Sequence, residues 1–128
     1  MINNTGPEPN CPFCRSNGIL KGDVIASSPG AFMIGASSNP DNYLIVPEVH
    51  AETVQDLPDN WWQDVKALIP QVPGLTPGYN LSLNIGKVAG QTVRHLHFWV
   101  IPRVEDTPAS GSGLASLIDV VNKTSPIQ

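Results

Sequence analysis

The sequence is poor in the features that mark many protein classes. Cysteine occurs only twice in 128 residues, as Cys11 and Cys14, which excludes the multi-bridge framework of small secreted domains. Charged residues make up only 14%, with seven Lys and Arg against eleven Asp and Glu for a formal charge of −4, and no basic block occurs. That balance excludes a binder of nucleic-acid backbones, which needs a basic patch to displace counterions. No apolar run reaches the roughly 20 residues that cross a membrane. Residues 1–10 lack the basic-then-apolar pattern of a signal peptide, so the expectation is a cytoplasmic protein with no membrane partner. No internal repeat is present.

What is present describes one globular domain with a real core: 41% hydrophobic residues, with 13 prolines and 11 glycines implying many turns and short elements. The two cysteines stand in Cys11-Pro12-Phe13-Cys14. In a reducing compartment such a pair points to metal binding or redox chemistry more than to a structural disulfide. A redox pair belongs after a strand, and nothing before Cys11 reads as one; zinc needs two further ligands, and only three histidines exist to supply them. Two unpaired thiols in a turn remain the plain alternative.

Residues 23–28 and 32–37 read as strands joined by Pro29-Gly30, and Asn39-Pro40-Asp41-Asn42 as a turn. The strand Tyr43-Leu44-Ile45-Val46 then ends at Pro47, three residues before His50. Residues 53–57 suggest one helical turn, and Asn60 an N-cap for an amphipathic helix over 61–69 that stops at Pro70. Residues 79–85 alternate, with Tyr79, Leu81, Leu83 and Ile85 on one face and Asn80, Ser82 and Asn84 on the other. Residues 105–113 read as a flexible linker, and 114–123 as a short C-terminal helix that must pack on its own domain or on a partner.

Residues 93–101 alternate strictly, which predicts a strand with Val93, His95, His97, Trp99 and Ile101 on one face and Arg94, Leu96, Phe98 and Val100 on the other. The second face is the core side, leaving the histidines to line a site. The preceding Ala89-Gly90-Gln91-Thr92 can bring backbone amides close to an anion. The reading is a phosphate site containing an imidazole.

These segments together resemble the histidine triad (HIT) family of nucleotide hydrolases and transferases. The resemblance runs from Cys11 to Arg103, through Cys11-Pro12-Phe13-Cys14, then Tyr43-Leu44-Ile45-Val46-Pro47 with His50, then Asn84-Ile85-Gly86, Ala89-Gly90-Gln91-Thr92-Val93 and His95-Leu96-His97-Phe98. It implies an α+β fold over residues 11–104, after a flexible 1–10: a mainly antiparallel five-stranded sheet, one longer helix and short helices. It also implies a homodimer that continues the sheet. His97 matches the nucleophile that attacks the α-phosphate, while Asn84, Gly90 and Thr92 match positions that hold phosphate oxygens. Nucleotide substrates would be phosphoramidates, dinucleoside polyphosphates or similar adenylated compounds, with nucleoside contacts around residues 32–34 and the turn before Tyr43. In a subset of the family the residues matching Cys11, Cys14, His50 and His95 bind a structural zinc; no organic cofactor is implied.

Two positions depart from the family. Trp99 replaces the third histidine, which touches the phosphate and helps the leaving group depart; an indole N–H can donate a hydrogen bond but cannot pass a proton. Asn42 replaces a histidine before the central strand. Both changes remove an ionisable group beside the expected site, which shifts the chemistry towards good leaving groups. The alternative is a nucleotide-binding or sensing module with weak or no catalysis.

Overall fold

The structure is a computed structural model and describes residues 7–122. Residues 1–6 of the expected N-terminal segment and Lys123 of the expected C-terminal helix lie outside the described residues. Five strands, β1 (Ala26–Ser28), β2 (Ala31–Ala36), β3 (Asn39–Pro47), β4 (Tyr79–Leu83) and β5 (Phe98–Pro102), form one sheet in the order β1-β2-β3-β5-β4, every neighbouring pair antiparallel. The helix α1 (Trp61–Leu68) follows β3, and α2 (Ile118–Val121) closes the described chain. Among the described residues, no helix is long and apolar enough to cross a membrane.

The run Ala31-Phe32-Met33-Ile34 is apolar without alternation because both faces of β2 are covered. Ala31 and Met33 join Ile45, Phe98 and Val100 beneath α1, whose stripe supplies Val65 and Leu68. Trp61 adds a stacked contact with Phe98, ring centroids 5.4 Å apart. Phe32 and Ile34 point the other way, joining Leu44 and Val46 under Phe13, Leu20 and Trp99. Burying each such side chain is worth about 1.5–3 kcal/mol, so the sheet is held from both sides. The second side is where the cysteine segment and the candidate site lie.

Three local expectations are corrected. The turn into β3 is Ser37-Ser38, and Asn39-Pro40-Asp41-Asn42 belongs to the strand. A bulge between Gly35 and Ala36 takes up the irregular pairing, so the polar stretch sits at an exposed strand end. The strand expected over 93–101 begins only at Phe98. Before it, the Leu96 N–H donates to the Ala51 carbonyl at 2.8 Å and the His95 ring bonds the Pro47 carbonyl, bonds that draw the segment out of the sheet ladder. Finally, Asn60 stands before α1 but its side chain makes no capping bond.

The C-terminal elements bury little. Leu114 is 73% exposed and Val121 65% exposed, so their apolar stripe is left uncovered by the described domain.

Candidate active site and metal centre

The segment Cys11-Pro12-Phe13-Cys14 is folded into a tight knuckle. The Cys14 N–H donates to the Cys11 carbonyl, and the Asn17 side chain donates to the carbonyls of Glu8 and Cys11 at 2.7 and 3.0 Å. This places both sulfurs against His50, just past the end of β3, and His95, just ahead of β5. Cys11 Sγ lies 3.6 Å from His95 Nδ1, and Cys14 Sγ lies 3.4 Å from His50 Nδ1 and 3.5 Å from His95 Nδ1. All four residues are buried and their ligand atoms lie within 4.8 Å of one another.

The donor set and spacing fit a metal ion. Zn–S bonds of about 2.3 Å and Zn–N bonds of about 2.0 Å at a tetrahedral angle put sulfur and nitrogen about 3.5 Å apart, the separation found here. The His95 Nε2–H donates to the Pro47 carbonyl at 2.7 Å, which turns the Nδ1 lone pair towards the sulfurs. Burial pushes the His95 pKa down to about 4, keeping the ring neutral and able to ligate. Burial pushes the Cys14 thiol up, a shift that a bound metal ion would oppose by favouring the thiolate.

His97 is arranged differently. Its Nδ1–H donates to the His95 carbonyl at 2.9 Å, which leaves the Nε2 lone pair unengaged. Burial, with the residue 6% exposed, lowers its pKa and favours the neutral ring. Both histidines are therefore buried rather than displayed on an open face. Phe13 packs edge-on against both, 5.1 Å from His97 and 6.1 Å from His95. Sequence reasoning gave Phe13 no role; its position between the two cysteines of the cluster is the signal that could have found it.

The antiparallel register brings other expected residues to the same face. Ser82 pairs with Trp99 and Leu83 with Phe98, the last pair of the ladder, so Asn84 just past β4 and His97 just before β5 leave the same end of it. Asn84 is half-buried, and its amide makes no hydrogen bond to any described residue. Gly90 adjoins it: a Cβ there would lie 3.4 Å from Asn84 Nδ2, and φ is +96°, a conformation that favours glycine. The amides of Gly90 and Gln91 donate to the carbonyls of Lys87 and Gly86, so that turn is closed by its own amides. Thr92 is exposed beside it. Trp99 pairs with Leu44 across the sheet and packs on the Phe32 and Ile34 cluster, while Asn42 lies on β3 two residues before Leu44, on the same face.

Three cavities surround residues 92–94. A slot of about 320 Å³ is walled by Phe13, Ile34, Leu44 and Val93, with Lys21 and Ser37 among its polar lining. A second, of about 330 Å³, shares Pro12 and Val93 with it and reaches Cys11 and His50. A third, of about 650 Å³, shares Glu52, Thr92 and Arg94 with the second and includes Gly90.

The chain is similar to several known proteins. The family model described as HIT domain matches residues 31–106, more than half of the chain. Adenosine 5'-monophosphoramidase of Schizosaccharomyces pombe is 30% identical over 115 residues, 84% of each chain. A HIT family hydrolase from Clostridium thermocellum superposes with a TM-score of 0.67 at 28% identity, over 80% of this chain and 97% of that one. A Zn-bound histidine triad family protein from Mycobacterium smegmatis shares the fold, with a TM-score of 0.65 at 24% identity over 77% of this chain and 78% of that one. With the antiparallel sheet, the Cys and His cluster and the oriented His97 already in place, these likenesses lead to one conclusion: the chain belongs to the HIT domain family and is a hydrolase of that family.

Proposed function

We propose that this hydrolase acts at the α-phosphate of nucleoside phosphoramidates, dinucleoside polyphosphates or similar adenylated compounds through a nucleotidyl-histidine intermediate on His97. The observation that carries the reading is the Nδ1–H bond of His97 to the His95 carbonyl at 2.9 Å, which fixes the tautomer with Nε2 as a free nucleophile. Nε2 attacks the α-phosphorus, the bond to the leaving group breaks, and water then takes the nucleotidyl group from His97. The Asn84 amide and the Thr92 hydroxyl hold the phosphate oxygens. The slot beside Phe13, Ile34 and Leu44 takes the nucleoside. Trp99 and Asn42 border the same face.

Zinc is the metal we assign to Cys11, Cys14, His50 and His95: two thiolates and two imidazoles suit it, and four protein ligands leave no place for water, so its part is structural. The buried free thiols favour a reducing, cytoplasmic setting. The uncovered stripe of Leu114, Leu117 and Val121 supports a homodimer, for which sedimentation of the full chain as a monomer at micromolar concentration is the contrary result.

The test is to incubate the protein with adenosine phosphoramidate and with a dinucleoside polyphosphate, quench in a buffer that preserves phosphohistidine, and map the adduct by mass spectrometry. A nucleotidyl group on His97 is expected. Absence of both turnover and adduct on all such substrates removes the enzymatic reading.

Gly90→Ala is expected to raise KM about tenfold and lower the melting temperature by a few degrees. The new Cβ meets Asn84 and the backbone must hold φ +96° with a side chain. An unchanged KM contradicts the role given to the Asn84 and Gly90 pair. Trp99→His is expected to raise phosphoramidate turnover about tenfold, because an imidazole can protonate a departing amine and an indole cannot. Loss of turnover on that change shows instead that the indole is required.

A further inference from the structure

We propose that the cavity bounded by Gly86, Lys87, Gly90, Gln91, Thr92 and Arg94 is an anion subsite for the leaving group, where Lys87 and Arg94 hold the phosphates beyond the α-phosphate of a nucleoside polyphosphate. The inference rests on the reading of His97 as nucleophile and narrows its substrate class.

Position comes first. The cavity is bounded by Gly90 and Thr92, assigned to the reacting phosphate, and shares no lining residue with the nucleoside slot. A substrate with its nucleoside against Phe13 and its α-phosphate at Thr92 therefore has this space, about 650 Å³, for what departs. A bare amine leaves most of it empty.

Charge comes second. Lys87 and Arg94 against Glu52 give the lining one net positive charge in a chain whose total is −4. Glu52 Oε1 accepts from Arg94 Nη2 at 3.0 Å, yet the Arg94 side chain is 81% exposed, leaving other N–H donors open to a ligand. Lys87 forms no salt bridge with any described residue. The wall is also built: buried Gln91 accepts from the Gly86 N–H at 2.8 Å and donates to the Glu52 carbonyl at 3.3 Å, tying the two sides together.

Chemistry comes third. When Nε2 attacks, the bond from phosphorus to the bridging oxygen breaks and its electron pair leaves with the outer phosphates. That group departs as a weakly basic anion and needs charge stabilisation more than a proton. Two cations supply the first, and Trp99 cannot supply the second. The substitution at Trp99 and the cationic cavity thus favour the same substrate.

The experiment has two arms at low ionic strength, where exposed charges are least screened. In the first, kcat/KM is measured for a dinucleoside polyphosphate and for adenosine phosphoramidate. In the Lys87→Gln/Arg94→Gln double variant the ratio of the two is expected to fall about tenfold, whereas Lys66→Gln on α1 serves as a control for bulk charge. In the second, calorimetry follows inorganic tripolyphosphate, whose affinity is expected to fall about tenfold in the double variant. An unchanged ratio, a ratio moved equally by Lys66→Gln, or tripolyphosphate that binds neither protein overturns the proposal, even where phosphoramidate turnover upholds the nucleophile. No turnover of either substrate, with tripolyphosphate binding lost in the double variant, leaves the anion subsite standing and removes the His97 reading.

Discussion

Replacing His97 with alanine is expected to lower kcat by four orders of magnitude or more on every substrate the protein turns over, and to abolish the nucleotidyl adduct. The size follows from the step removed: losing a covalent nucleophile costs about as much as losing the whole group acting with it. No second candidate stands at the same place, since the other two histidines, His50 and His95, face Cys11 and Cys14. The change also takes a donor from the His95 carbonyl and a ring from beside Phe13, a cost of about 1–3 kcal/mol. His97→Asn separates the two effects, because its amide can still donate locally yet forms no nucleotidyl intermediate. Melting temperature then reports the packing and adduct formation the chemistry. Turnover above about one per cent in both variants would falsify the assignment.

Removing the metal we assign to Cys11, Cys14, His50 and His95 is expected to lower the melting temperature by at least about 10 °C and to slow turnover with it. Structural zinc bound by such a donor set contributes about 10–16 kcal/mol in small peptides, and 3 kcal/mol is enough for the shift stated in a domain of this size. Without a cation, four buried polar ligands lose their common partner, and the link from the N-terminal knuckle to the ends of β3 and β5 is cut. Phe13 loosens as a consequence, and with it the packing against His97. Calorimetry before and after chelation, with elemental analysis, reads the effect. Cys14→Ala should reproduce it, since Cys14 Sγ contacts both His50 and His95. A protein that purifies without metal and melts at the same temperature after chelation contradicts the assignment.

The two expectations differ in how much of their basis is legible in the chain. The helix is: Trp61, Val65 and Leu68 repeat at helical spacing, and α1 buries Val65 and Leu68 on the sheet. The strand Tyr43-Leu44-Ile45-Val46 is too, because an apolar run ending at Pro47 suits a central strand covered on both faces. The Cys and His cluster follows from resemblance more than from pattern. Cys11 and His95 stand 84 positions apart, and no local periodicity relates them.

The strand read over 93–101 shows where local signals stop. Alternation correctly separates Phe98 and Val100 from Trp99, yet it cannot reveal that Leu96 gives its N–H to Ala51 or that His95 reaches Pro47. Those bonds end the ladder at Phe98 and bury the two histidines. The contact of Phe13 with His97, and the meeting of Lys87 with Arg94 around one cavity, are likewise absent from any spacing rule.

By itself, then, the sequence determined the helix and strand segments of an α+β domain and its apolar faces, because these depend on residue type and on the short periods of strand and helix, while resemblance named the cysteines and histidines as candidate site residues. Only the tertiary structure decided that His95 turns its Nδ1 to the cysteines while His97 keeps Nε2 unengaged. That difference is made by two carbonyl oxygens, of Pro47 and of His95 itself, whose positions are fixed by the packing of the whole sheet.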